Sequence, residues 1–205
     1  MKELESNKVE MSGVILSNFE FCHYVFGEGF YTAFLGVTRK SGVEDKVIIT
    51  VSDRMVDVTS DWVGESVEIK GTLRSHNDTS GEKTRVILSV FVEDMDSVER
   101  LGEYNKNEVF LEGTICKQPI YRETNNGREI TDVILAVNRP YGKSDYIYCI
   151  CWGRNAMYVS NLSVGDKVKV FGRFQSRDYQ KLIDGEYVTK TAYELSVQRV
   201  ELIER

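Results

Sequence analysis

The chain contains the same unit twice. Asn7-Lys8-Val9-Glu10-Met11-Ser12-Gly13-Val14-Ile15 returns as Asn107-Glu108-Val109-Phe110-Leu111-Glu112-Gly113-Thr114-Ile115, an offset of 100. That offset also carries Leu35-Gly36-Val37-Thr38-Arg39 onto Leu135-Ala136-Val137-Asn138-Arg139, and Val47-Ile48-Ile49-Thr50-Val51 onto Ile147-Tyr148-Cys149-Ile150-Cys151. It becomes 101 where Val63-Gly64-Glu65-Ser66-Val67 meets Val164-Gly165-Asp166-Lys167-Val168. Similarity at a near-constant spacing means one structural unit built twice, so both halves of the 205 residues must reach the same topology.

Within a copy, β-branched and aromatic residues alternate with polar ones in short runs broken by Gly, Asn and Asp, the period-2 signature of strands. In the second copy this predicts strands at 107–116, 129–139, 145–152, 166–178 and 187–202. One stretch per copy reads as helix; in the second it is 153–162, ahead of Gly165 and between the third and fourth strands. Five strands with a short helix in that place predict an all-β chain of two tandem OB-folds. These are five-stranded Greek-key barrels whose strand 2 and 3 face binds oligonucleotides or oligosaccharides. The expected domains are 1–95 and 107–205, joined by an acidic, solvated linker at 96–106.

Composition removes several classes of function. No apolar run approaches the roughly 20 residues that cross a bilayer, and the charged start MKELESNKVE is no secretory signal, so a cytoplasmic protein without membrane contact is expected. Cys22, Cys116, Cys149 and Cys151 form no CxxC pair, and His23 and His76 cannot complete a metal cluster. The cysteines read as plain core residues. There is no GxxxxGK[ST] loop and no nucleophile aligned with a histidine, so no metal, no cofactor and no enzyme activity is expected. The net charge of −6 at first disfavours a polyanionic ligand, but it is unevenly spread. Residues 1–104 hold 11 Lys and Arg against 19 Asp and Glu, whereas 105–205 hold 15 against 13.

The less acidic half carries the informative strands. Alternation turns Ile147, Cys149 and Cys151 to one face and Tyr146, Tyr148, Ile150 and Trp152 to the other. A row of rings on an open sheet face suits unpaired bases, although Tyr and Trp also favour protein interfaces. On the fourth strand Lys169, Phe171, Arg173, Gln175, Arg177 and Tyr179 share a face, and the turn after the second strand adds Arg139, Pro140, Tyr141 and Lys143. Cations interleaved with rings match an anionic backbone bearing flat bases.

Leu135-Ala136-Val137-Asn138-Arg139, Cys149-Ile150-Cys151-Trp152-Gly153-Arg154 and Gly172-Arg173-Phe174-Gln175-Ser176-Arg177 at this spacing resemble the bacterial single-stranded DNA-binding protein family. The resemblance implies base stacking at Tyr141, Tyr146, Trp152 and Tyr179, with Tyr in place of Trp at some of them and hence weaker stacking. Tyr148 shares their face, and Arg139, Lys143, Arg154, Arg173 and Arg177 would neutralise phosphates. It also implies a homodimer presenting four OB-folds. With the sequence ending at Arg205, just past the last strand, the family's flexible, acidic-tipped tail and its recruiting role are not expected. The stacking reading accepts RNA as well as DNA.

The first copy keeps the core but replaces Tyr141, Tyr146, Tyr148 and Trp152 by Ser41, Lys46, Ile48 and Ser52. It gathers rings instead in its first hairpin: Phe19, Phe21, Tyr24, Phe26, Phe30 and Tyr31. Half of these are expected to fill the barrel and the rest to shield its end. The other reading is a docking surface for a replication or repair protein, and with it a protein–protein adaptor built from two OB-folds.

Overall fold

A computed structural model describes residues 6–78, 85–124, 126–183 and 185–204. The first copy runs β1 (Asn7–Ile15), β2 (Glu20–Val25), β3 (Glu28–Thr38), β4 (Glu44–Ser52), β5 (Ser66–Asp78) and β6 (Arg85–Ser97). The second runs β7 (Asn107–Ile115), β8 (Ile120–Glu123), β9 (Glu129–Asn138), β10 (Ser144–Trp152), α1 (Arg154–Ser160), β11 (Lys167–Ile183) and β12 (Glu186–Glu204). β1 pairs with both β3 and β5, and the ring closes through β3–β4, parallel β4–β6 and β6–β5. The second copy closes identically through β7, β9, β10, β12 and β11, with β10 and β12 parallel.

Among the described residues each copy holds six strands rather than the expected five. The predicted first strand of the second copy, 107–116, is found whole as β7; the additional strand is β8, which begins just after Pro119 and pairs with β9. Inward-facing apolar residues fill both rings, among them Val9, Leu35, Ile49 and Leu73 in one and Leu111, Leu135, Ile147 and Phe174 in the other. Gly71 and Gly172 mark register shifts in β5 and β11, where a Cβ would run into the carbonyls of Phe91 and Ser196.

Among the described residues, only the second copy carries the helix expected of both. α1 buries Ala156 and Val159, one turn apart, and Thr131 Oγ1 donates to the Ala156 carbonyl at 2.8 Å. In the first copy Asp57 stands in the corresponding segment. Its carboxylate accepts the Thr59 amide at 3.0 Å and the hydroxyls of Thr59 and Ser60 at 2.6 and 2.7 Å. Such local bonds offer the backbone an alternative to the helical ladder, and Met55, Val58 and Trp62 pack against the core there instead.

The two barrels form one twelve-stranded sheet because β1 and β7 pair antiparallel about Val9↔Val109. Both valines are buried, while Glu10 faces Glu108. Lys8 and Lys106 neutralise that like-charged pair: Lys8 Nζ lies 2.6 Å from Glu10 Oε1, and Lys106 reaches both glutamates. Around this seam the sequence repeat becomes a pseudo-two-fold. Asn7 closes a pair of hydrogen bonds with the Leu73 backbone, as Asn107 does with Phe174. The segment expected as a solvated linker is tied down, since Asn105 bonds Thr38 through its amide and its side chain, and Lys106 exchanges bonds with Ser12.

Candidate nucleic-acid interface

β10 presents Tyr146, Tyr148 and Trp152 outward, 51, 41 and 37% exposed. The row is broken: Ile150, on the same face by alternation, is buried at 3% yet lies outside the core cluster. Alternation sets the direction of a side chain but not what covers it. Tyr179, 39% exposed, stands on the long arm of β11 beyond the barrel, with the Arg177 guanidinium 5.8 Å from its ring centroid. Tyr141 lies in a 3-10 turn, Pro140–Gly142; its side chain is outside the described residues.

The expected cations divide by their partners. Lys143 closes the turn after β9 and is exposed, as is Arg154 at the start of α1. Arg177 leans on Glu194, 3.3 Å away, and the buried Gln175 links the two arginines of β11: its amide donates to Glu194 at 3.0 Å and its carbonyl accepts from Arg173 at 3.3 Å. Burial and the neighbouring Arg39 charge lower the Arg173 pKa from its ordinary value. Lys169 and Phe171, predicted on the same stripe, sit toward the seam, where Phe171 packs on Phe110 at 4.9 Å and under Arg199.

Arg139 departs from expectation. Its Nε donates to Asp145 Oδ2 at 2.5 Å, and its Nη2 bonds both Asp145 Oδ1 and the Ser75 carbonyl of the first barrel. These bonds to Asp145, itself 1% exposed, raise the Arg139 pKa. With its fork engaged on two protein acceptors, it serves as a structural cross-link. Asp145 also accepts the Ser75 amide at 2.5 Å, and the Ser75 hydroxyl accepts the Tyr146 amide at 2.9 Å. The pseudo-symmetric set is Arg39, Asp45, Ser176 and the Lys46 amide.

In the first barrel, Lys46 is exposed where Tyr146 stands in the second, and Ser52, in place of Trp152, is buried and bonds Glu28. Of the hairpin rings, Phe30 is buried and Phe19 and Tyr31 pack on the core, while Phe21, Tyr24 and Phe26 are exposed. Cys149 and Cys151 are core thiols, and burial chiefly pushes Cys151 up to about 12. Cys22 is not a core residue; it is exposed on the edge strand β2.

Residues 106–203 match the family described as Single-strand binding protein family. Single-stranded DNA-binding protein of Bacillus cereus is 38% identical over 104 residues, 46% of this chain and 60% of that protein. Single-stranded DNA-binding protein A of Bacillus subtilis is 35% identical over 105 residues, 48% and 59% of the two chains. The chain thus spans about six-tenths of the length of these curated relatives. The crystal structure of wild-type single-stranded DNA binding protein from Thermus aquaticus, 20% identical, superposes with a TM-score of 0.74 over 97% of this chain and 93% of that one, and shares the fold. The family match therefore falls on the barrel with the aromatic face: residues 106–203 are those that resemble the Single-strand binding protein family.

Proposed function

We propose that the protein binds and protects single-stranded DNA with little sequence preference, in replication, recombination or repair, and is not an enzyme. In this reading both barrels are OB-folds in tandem, with domains at 1–95 and 107–205, and the second does the gripping. Tyr146, Tyr148, Trp152, Tyr179 and Tyr141 stack on bases, while Lys143, Arg154, Arg173 and Arg177 face phosphates. Arg139 leaves the phosphate set because its guanidinium is engaged with Asp145 and Ser75. The observation that carries the reading is the exposure of Tyr146, Tyr148, Trp152 and Tyr179 beside cations on the barrel that matches the family. The relatives named as single-stranded DNA-binding proteins support it.

Titration with oligothymidine at low salt tests it. Binding should quench Trp152, because Trp62 lies in the other barrel with its Nε1 on the Asp57 carbonyl, and the complex should weaken steeply with salt as counterions are released. Absence of any complex at low salt would overturn it. A second reading, a protein-docking module, rests on the tip of the first hairpin. There Phe26 is fully exposed at a φ of 48°, a strained conformation for a bulky residue.

A further inference from the structure

A cleft of about 1040 Å³ lies between the barrels rather than on either one. Trp152, Arg128, Arg173 and Tyr193 line it from the second barrel, Phe34 and Lys46 from the first. It begins where the aromatic face ends, since Trp152 belongs to both. The way across follows paired strands and then a side-chain bridge: β10 pairs with β12 and β12 with β11, and β11 is tied to β4 by the Lys46 amide on Ser176 Oγ at 2.9 Å and the Ser176 amide on Asp45 at 3.0 Å.

The charge of the cleft is unbalanced. Glu44 and Asp178 are on its wall, and Arg39 and Arg177 are engaged with Asp45 and Glu194. Among the described residues no carboxylate pairs with Lys46, Arg128 or Arg173. Three cations with no carboxylate partner, Arg173 bonding only the neutral Gln175, around one cavity in a chain of net charge −6 favour an anion there. Two exposed rings, Phe34 at 41% and Trp152 at 37%, stand among them. Phe34 lies on the outer face of β3, opposite Ile48 of β4, so the first barrel is not bare of rings on this side. Cations alone would suit an acidic peptide as well; cations with open ring faces suit a polyanion that carries flat bases.

We propose that this cleft is a second contact for single-stranded nucleic acid: a strand leaving Trp152 crosses to the first barrel, Phe34 stacks on a base, and Lys46 and Arg173 hold phosphates. The inference rests on the function proposed above and extends it. Lys46 in place of a tyrosine is then a change of task, from stacking to phosphate contact, and a longer strand is held by both barrels.

The test compares fluorescence anisotropy of a labelled oligothymidine of about 8 nucleotides, within the span of one OB-fold, with one of about 30. The variant is Phe34→Ala with Lys46→Glu; both side chains are exposed and the Lys46 backbone bond survives, so thermal unfolding should stay close to the parent. The long oligonucleotide should bind about tenfold more weakly to the variant, with the short one within about twofold. Equal binding by parent and variant at both lengths would overturn the second contact and leave the first intact. An equal loss at both lengths would overturn it too, since Phe34 and Lys46 would then belong to the first contact. A parent that binds neither length removes the function itself. A parent that takes a glutamate-rich peptide in the cleft in preference to the long oligonucleotide assigns the cleft to protein and overturns the inference.

Discussion

The hydroxyl of Ser75, on the first barrel, accepts the backbone amide of Tyr146, on the second, at 2.9 Å. Ser75 is held in turn by Asp145, which takes its amide at 2.5 Å and pairs with Arg139. The aromatic face is therefore anchored from the neighbouring barrel, and the anchor is a buried carboxylate. Asp145→Ala removes one side of this ion pair and leaves the Ser75 amide without its acceptor. It should cost about 3 kcal/mol of stability, read as a lower midpoint in denaturant unfolding. Asp145→Asn, which retains one acceptor oxygen, should cost less.

Stacking predicts a graded series at Trp152 and Tyr148. Replacing either by Ala should weaken oligothymidine binding by about 1 to 3 kcal/mol, and replacing it by Phe by a fraction of that, because a ring face rather than a hydroxyl or indole N–H does the work. Anisotropy titrations at fixed salt check this. Equal losses for Ala and Phe would point to hydrogen bonding instead.

The two-copy architecture was legible because an internal repeat registers every strand at once, and the outward direction of Tyr146, Tyr148 and Trp152 followed from alternation alone. Cover and partnership were not legible. The same alternation that turns Ile147 inward also turns Asp145 inward, and a carboxylate on a core face demands a cation; Arg139, six residues earlier in both copies' pattern, was that cation. Read as a free charge beside aromatic residues, it resembled a phosphate contact. The missing helix of the first copy had its signal in Asp57-Val58-Thr59-Ser60, residues that bond locally or stiffen the chain against a helix. Phe34 gave no signal, since its role depends on which barrel faces it.

The cysteines predict a chemical footprint. Cys149 and Cys151 are buried with thiol pKa values pushed up by desolvation, so they form little thiolate and are out of reach. Cys22 is exposed. A disulfide-exchange reagent at neutral pH should modify Cys22 in the native protein and reach Cys149 and Cys151 only after unfolding, as mass spectrometry of peptides would show.

The seam between the barrels should weaken in acid. Hydrogen bonds from Lys106 and Lys8 hold the Glu10 carboxyl down at about 2, against an ordinary value of 4.5. A depressed carboxyl contributes its stability above its unfolded pKa and loses it as the pH falls through the folded one. The stability gap between the parent and Glu10→Gln should therefore be full at pH 7 and shrink between about 4.5 and about 2. Thermal unfolding of both proteins across that range measures it; a gap independent of pH would mean that Glu10 acts through packing.

Arg139 and Arg154 offer a direct separation of structure from binding. Both lie on segments that resemble the same family, and both are candidates for phosphate contact by composition alone. Arg139 has its fork engaged on Asp145 and Ser75, whereas Arg154 is exposed at the start of α1. A residue that meets phosphate releases counterions on binding, so its removal should lower the slope of log affinity against log salt by about 0.7 for a single strand. Arg154→Ala should show that change with an unaltered unfolding midpoint. Arg139→Lys should do the reverse: an ammonium cannot reproduce the planar two-acceptor geometry, so stability falls while the salt slope holds. If Arg139→Lys instead lowers the slope and leaves stability unchanged, the guanidinium serves the ligand and the clasp on Asp145 gives way when DNA binds.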